Sequence, residues 1–175
     1  LSVAIDPYDQ AAYVSRLNAA NGDARQAYAS WMAMERGSTP DQILRAEVSL
    51  SETRNPFDSR RDRQAVSRGA VVYQMHCARC HGEDGTGQGP STLPDHPATD
   101  FKTFGKRLGA TLHHGAPRTW FRVIRDGSGD LVDYADGRMA AMPAFGGKLT
   151  REQMWLVVTY LQSLDIHASG AGTKR

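Results

Sequence analysis

The chain has 175 residues, 40% of them hydrophobic and 23% charged, with a formal net charge of +2 at pH 7. That is long enough for one ordinary domain with an extension, and the composition is that of a chain able to bury a core. No apolar run approaches the roughly 20 residues that span a bilayer, and the charge is too small for a nucleic-acid binder, which carries a concentrated basic stripe.

Leu1 stands where an initiator Met would, so removal of a leader or anchor upstream is compatible with the sequence. Residues 8–37 are rich in Ala, with Tyr13, Leu17 and Ala20 and then Ala27, Trp31 and Met34 at helical spacing. They predict one long helix, or two joined at Asn21 and Gly22. The run STPDQILRAEV opens another: Thr39 is a cap, Pro40 takes the first helical position and Gln42 closes a capping box. SETRNPFDSR reads as a linker that ends an N-terminal helical extension at residue 63. A helix is then expected from Arg63 to Cys80, with Gly69, Tyr73 and Cys77 stacked along one face.

From Gly82 to Pro97 the density of Gly, Pro and Asp predicts a loop. Short helices are expected at 101–113 and at PRTWFRVIRDG, where Trp120, Phe121 and Ile124 fall together and Gly127 supplies the stop. A second loop contains GRMAAMPAFGG. The last helix is opened by Thr150 with Gln153 in a capping box, and MWLVVTYLQSL gives it an apolar face. Residues 168–175 read as a flexible tail. The fold class is all-α, and the loops are the anomaly: structureless stretches of this length are uncommon in compact domains unless they serve a function. Leu93, Phe101, Phe104, Leu112 and Phe145 are scattered through these segments and need something to bury against. A large planar cofactor would supply that surface.

Both cysteines of the chain sit in YQMHCARCHGEDGTGQGP, where Cys77, Cys80 and His81 form C-x-x-C-H. On a helix the thiols lie one turn apart and the imidazole follows directly, so all three can face one object. Two sulfurs that add to porphyrin vinyl groups, and an imidazole that reaches the iron, are what covalent haem attachment requires. The alternatives fit less well. A disulfide between residues three apart in a helix is awkward and closes too small a loop to stabilise much. Zinc held by His76, Cys77, Cys80 and His81 would crowd four ligands into six residues, whereas structural zinc sites combine separated pairs. A thioredoxin-like pair needs a preceding strand.

GAVVYQMHCARCHGEDGTGQGP resembles the first helix and haem motif of class I cytochromes c, and the likeness extends over residues 64–165. The resemblance implies a cytochrome c fold over 64–167, in which Gly69 and Tyr73 match the family's Gly and aromatic, and Tyr160 the aromatic of the crossing terminal helix. It also implies a sixth iron ligand. AMPAFGG matches the family's Met-Pro loop and makes Met142 the candidate, its backbone held extended by Pro143. Met139 and the pair His113 and His114 are alternatives. Met75 and His76 lie on the attachment helix, with His76 expected to face away from the iron or to cap the haem edge. A Pro carbonyl from Pro90, Pro94 or Pro97 is expected to accept from His81.

With His81 and Met142 as axial ligands no open position remains, so one-electron transfer by a single haem c is the expected function and catalysis at the haem is disfavoured. A haem enzyme or sensor with a displaceable ligand is the alternative. Lys102, Lys106, Arg107, Arg118, Arg122, Arg125, Arg138 and Lys148 would face an acidic redox partner or simply solvent. NPFDSRRDRQAVSRGAVVYQMHC is similar to the lead-in of monohaem cytochromes attached to membrane oxidoreductases. That likeness makes residues 1–63 a candidate docking module, with Trp31, Met32 and Met34 as an exposed apolar patch. Haem attachment implies a periplasmic or other extracytoplasmic location.

Overall fold

In a computed structural model the residues described are 5–101, 116–129 and 141–170; these form seven helices and no strand. The expected helix at 101–113 lies, beyond Phe101, outside them, as do Phe104, Leu112, His113, His114, Met139, Lys102, Lys106, Arg107 and Arg138. Helix α1 (Pro7–Ala19) is capped by Asp6 and α2 (Ala24–Arg36) by Asp23. The chain turns between them through Asn21 and Gly22, both at positive φ. Two helices, not one, therefore form here. Helix α3 (Pro40–Glu47) has the expected box, with Thr39 and Gln42 bonded in both directions.

The structure is organised by helix α4 (Arg63–His76) crossing the terminal helix α7 (Arg151–Gly170). Gly69 lies at the crossing. A Cβ placed on it would sit 2.0 Å from the carbonyl oxygen of Leu156 and 3.0 Å from Tyr160 Cβ. Nothing larger than hydrogen fits there. One turn on, the rings of Tyr73 and Tyr160 pack at 5.1 Å. The start of α7 is fixed by the expected box: Thr150 N–H donates to Gln153 Oε1 at 2.9 Å and Gln153 N–H to Thr150 Oγ1 at 3.1 Å. Helix α6 (Ala116–Asp126) joins α7 through Phe121, which stacks on Trp155 at 4.3 Å, while Ile124 is buried beside it.

Residues 5–63 do not stand apart. Tyr13, Tyr28, Trp31, Met32 and Ile43 form one buried cluster with Ala65 and Val71 of α4 and Leu156 of α7. Trp31 and Met32, expected on an exposed patch, have no exposed surface; of the three suspects only Met34 is open to solvent, at 55%. They turn inward because this face of α2 is covered by α1, where Tyr13 packs at 6.1 Å from the Trp31 ring, and by Arg68 of α4. The segment read as a linker is also tied down: Trp155 Nε1 donates to the Ser51 carbonyl at 2.7 Å, and Asn55 bonds Thr159 and Gln162. The buried Glu47 carboxylate accepts from the Arg151 N–H at the start of α7 and pairs with Arg25 at 2.7 Å. A carboxylate there complements the positive end of the helix dipole.

Two outcomes follow for denaturant unfolding. Gly69→Ala forces α4 and α7 apart and lowers stability by about 1–3 kcal/mol, the usual cost of overpacking a tight contact. Trp31→Ala costs about 3–5 kcal/mol and moves the single helical transition of the whole chain; a separate early transition that leaves α4 and α7 intact would show that the extension is an independent unit.

Candidate haem site

Helix α4 stops at His76, four residues before its expected end. Cys77 is its C-cap, and Ala78–His81 form a separate short turn, α5. The end of α5 is held from outside the motif. Gly87 N–H donates to the His81 carbonyl, Gly89 N–H to that of Cys80 and Ser91 N–H to that of Arg79, at 2.8, 3.0 and 2.7 Å. Carbonyls that would face onward along a continuous helix are capped by a loop folding back over them. Tyr73 completes the clamp, its hydroxyl donating to the Gly82 carbonyl at 2.7 Å.

This turn presents the motif to a cavity of about 470 Å³. Cys77, Cys80 and His81 line it together with Val123, Met142 and Phe145. Both thiols are free. Burial, and then the neighbouring Cys80, push the Cys77 thiol up to about 12, so it keeps its proton in the bare chain. The carbonyl facing His81 Nδ1 is that of Thr99, at 3.3 Å, and not that of Pro90, Pro94 or Pro97. The backbone turns inward two residues beyond Pro97, and there Phe101 stacks on the imidazole at 4.8 Å. Burial lowers the His81 pKa, and the Thr99 contact partly offsets this. His76 does not join a cluster with the cysteines: its Nε2 lies 2.8 Å from the Tyr13 hydroxyl. Among the described residues no three His, Cys, Asp or Glu side chains converge to hold a bare metal ion.

Met142 is held by its backbone. Its N–H donates to Ser128 Oγ at 3.1 Å, and its carbonyl accepts from the Ser128 N–H at 3.2 Å. Ser128 follows Gly127, which stops α6 as expected at φ 78, its N–H on the Val123 carbonyl at 2.8 Å. Only glycine fits, because a Cβ there would meet the Met142 carbonyl at 2.7 Å. Phe145 and Gly146 then donate to the carbonyls of Ile124 and Arg125. The Met-Pro loop is thus laced onto the end of α6. Sequence reasoning missed Ser128 and Thr99: Thr99 acts through its carbonyl, which every residue has, and Ser128 through a hydroxyl and N–H that reach Met142 only once the loop has folded back.

The model of the family described as Cytochrome C oxidase, cbb3-type, subunit III matches residues 64–161. The chain belongs to this family. Among curated proteins, it is 36% identical over 101 residues to the Cbb3-type cytochrome c oxidase subunit FixP of Sinorhizobium medicae (strain WSM419), and 34% identical over 101 residues to that of Rhizobium meliloti (strain 1021). Each alignment covers 57% of this chain but only 30% of the relative, so the likeness is to one part of a longer protein. No solved structure matched. A cbb3-type subunit III cytochrome domain has the all-α cytochrome c fold and transfers electrons through haem c. The residues present suit such a group: one cavity is lined by Cys77, Cys80, His81 and Met142 together with Val123 and Phe145. Soft sulfur and imidazole are ligands that iron porphyrins take.

Proposed function

We propose that Cys77 and Cys80 bind one haem c through thioether links, that His81 and Met142 ligate its iron, and that the chain passes single electrons as the cytochrome subunit of a larger redox complex. The observation that carries this is that Cys77, Cys80, His81 and Met142 all line one cavity. The bound haem supplies an iron that accepts and releases one electron. The protein supplies everything that keeps that exchange simple. Thr99 orients His81 and, by accepting from Nδ1, raises the basicity of the other ring nitrogen. Ser128 and Gly127 fix the Met142 backbone, so the thioether is presented without a large change of the loop. A neutral thioether favours the reduced iron over what a second imidazole would give. Met139 and the His113 and His114 pair are passed over in this reading because Met142 already lines the cavity.

The cytochrome unit comprises residues 64–167 and the extension residues 1–63, with the tail after 167 outside both. Among the described residues no helix is long and apolar enough to cross a membrane. The FixP relatives are named as oxidase subunits; for this chain we take a membrane oxidoreductase as the partner and an extracytoplasmic compartment as the location, where bacterial haem attachment takes place. Arg118 and Arg122 on α6 and Lys148 beside the Met loop are exposed and would face an acidic partner surface. Arg125 is instead engaged by Glu52 and Asp126.

The test is the holoprotein from cells competent in cytochrome maturation. Its mass exceeds that of the bare chain by one haem, and Cys77→Ala with Cys80→Ala abolishes the gain. The weak long-wavelength band of Met-ligated Fe(III) is present, is lost in Met142→Ala, and survives in Met139→Ala. Rapid binding of carbon monoxide by the unaltered protein would instead support a haem enzyme or sensor. Replacing Arg118 and Arg122 by Glu slows electron transfer from an acidic donor at low salt by about tenfold and flattens its salt dependence; a rate already independent of salt removes the steering role.

A further inference from the structure

Three residues far apart in the sequence meet behind the cavity wall: Tyr13 of α1, Gln153 of α7 and His76 at the end of α4, the last of which lines the cavity. Tyr13 and Gln153 have no exposed surface. The proton positions follow from counting donors. Gln153 Oε1 accepts from the Thr150 N–H, so the opposite amide face is Nε2. One of its two hydrogens goes to the Ala24 carbonyl at 3.2 Å, and the other to the Tyr13 oxygen at 3.0 Å. The single proton of the Tyr13 hydroxyl is then left for His76 Nε2, 2.8 Å away. A hydrogen bond holds one proton, so Nε2 carries none. The ring is the neutral Nδ1–H tautomer, and it lines the cavity next to Cys77.

We propose that Tyr13, contributed by the N-terminal extension, is a positioning residue of the haem site that holds His76 neutral and in one tautomer at the haem edge. The inference rests on the haem reading above. Its consequence is electrostatic: a cation at that edge would favour Fe(II), so keeping the imidazole uncharged keeps the potential insensitive to pH in the range where histidine ordinarily titrates. Burial acts in the same direction, pushing His76 down to about 4. Burial also drives the Tyr13 hydroxyl far above its ordinary value, so it retains the proton it donates. The other groups around this ring are Cys77 and Asp23, which act on Tyr13 electrostatically, and Arg79, His81, His96 and Lys148, which share the cavity. Among the described residues, the Tyr13 hydroxyl is the group bonded to His76 Nε2.

The experiment compares the midpoint potential of the haem-loaded protein between about pH 5 and pH 8 in three forms. Tyr13→Phe keeps the ring and removes the hydroxyl. Loss of the hydroxyl, which bonds only the neutral ring, moves the His76 protonation step up from about 4, so the potential is expected to rise toward the acid end of this range while the native profile stays flat. The step vanishes in Tyr13→Phe combined with His76→Gln. A Tyr13→Phe profile that superposes on the native one, or a step that persists in the double variant, overturns the proposal while leaving the haem reading intact. A product without haem mass overturns both. Should Tyr13→Phe fail to fold, nitrogen NMR of the unaltered reduced holoprotein decides: a neutral Nδ1–H signal for His76 throughout this range supports the proposal, and an Nε2–H or doubly protonated ring sinks it.

Discussion

The contact between Gly69 and the Leu156 carbonyl is the constraint on which the remaining geometry depends. Because no side chain stands between them, α4 and α7 meet backbone to backbone, and this brings Tyr73 against Tyr160. Tyr73 in turn reaches the Gly82 carbonyl, which closes the turn carrying Cys77, Cys80 and His81. A helix crossing thereby sets the position of a cofactor motif one turn away. The opposite wall follows from the same helix, since Trp155 of α7 seats Phe121 of α6, and the end of α6 carries the Met142 loop. Both groups of candidate ligands are referred to α7, although neither lies on it.

Features that depend on neighbours in the chain were legible in the sequence. The capping boxes at Thr39 and Thr150 and the stop at Gly127 each need only a few residues of context, and each was found where its spacing put it; the role of Gly69 at the crossing came only with the family resemblance. The break at Cys77 was not legible. Helical spacing continues through it, and the loop that closes over the end of the turn, with the N–H groups of Gly87, Gly89 and Ser91 on its last three carbonyls, is set by the path of the chain and not by spacing. The partner of His81 escaped for a similar reason: every residue has a carbonyl, so only the path of the loop selects Thr99 over three prolines. Trp31 and Met32 illustrate a different limit. Periodicity shows that a helix has an apolar face, but not whether this chain or another covers it.

The extension changes what kind of object the cytochrome portion is. A haem-binding segment with long loops has little protein-only core and relies on its cofactor for burial. Here a second cluster, built from α1, α2 and α3, lies against the far sides of α4 and α7 and shares Val71 and Leu156 with them. The ion pairs around it add less than their number suggests, since pairs such as Arg125 with Glu52 are about one-third exposed and screened. Burial of Trp31, Tyr28 and Met32 is the larger contribution. The charges act mainly in register: Glu47 fixes where α7 begins, and Arg68 lies over the Trp31 ring at 5.2 Å.

Such bracing bears directly on electron transfer. A haem protein exchanges electrons readily when the groups around the iron occupy the same positions in both oxidation states, so the demand on the fold is immobility rather than reactivity. Backbone contacts meet that demand better than long side chains, because they lose little conformational freedom when the contact forms. Met142 is accordingly clamped at its own N–H and carbonyl, and the turn before His81 is capped at three successive carbonyls. Where a side chain must be used, as at His76, it is backed by a buried tyrosine that is itself fixed by a buried amide. Each member has one donor arrangement open to it, and a rotation of any one would leave a buried polar atom unpaired at a cost of about 1–3 kcal/mol. The extension thus contributes rigidity to the edge of the cofactor site, which the cytochrome fold by itself leaves to its loops.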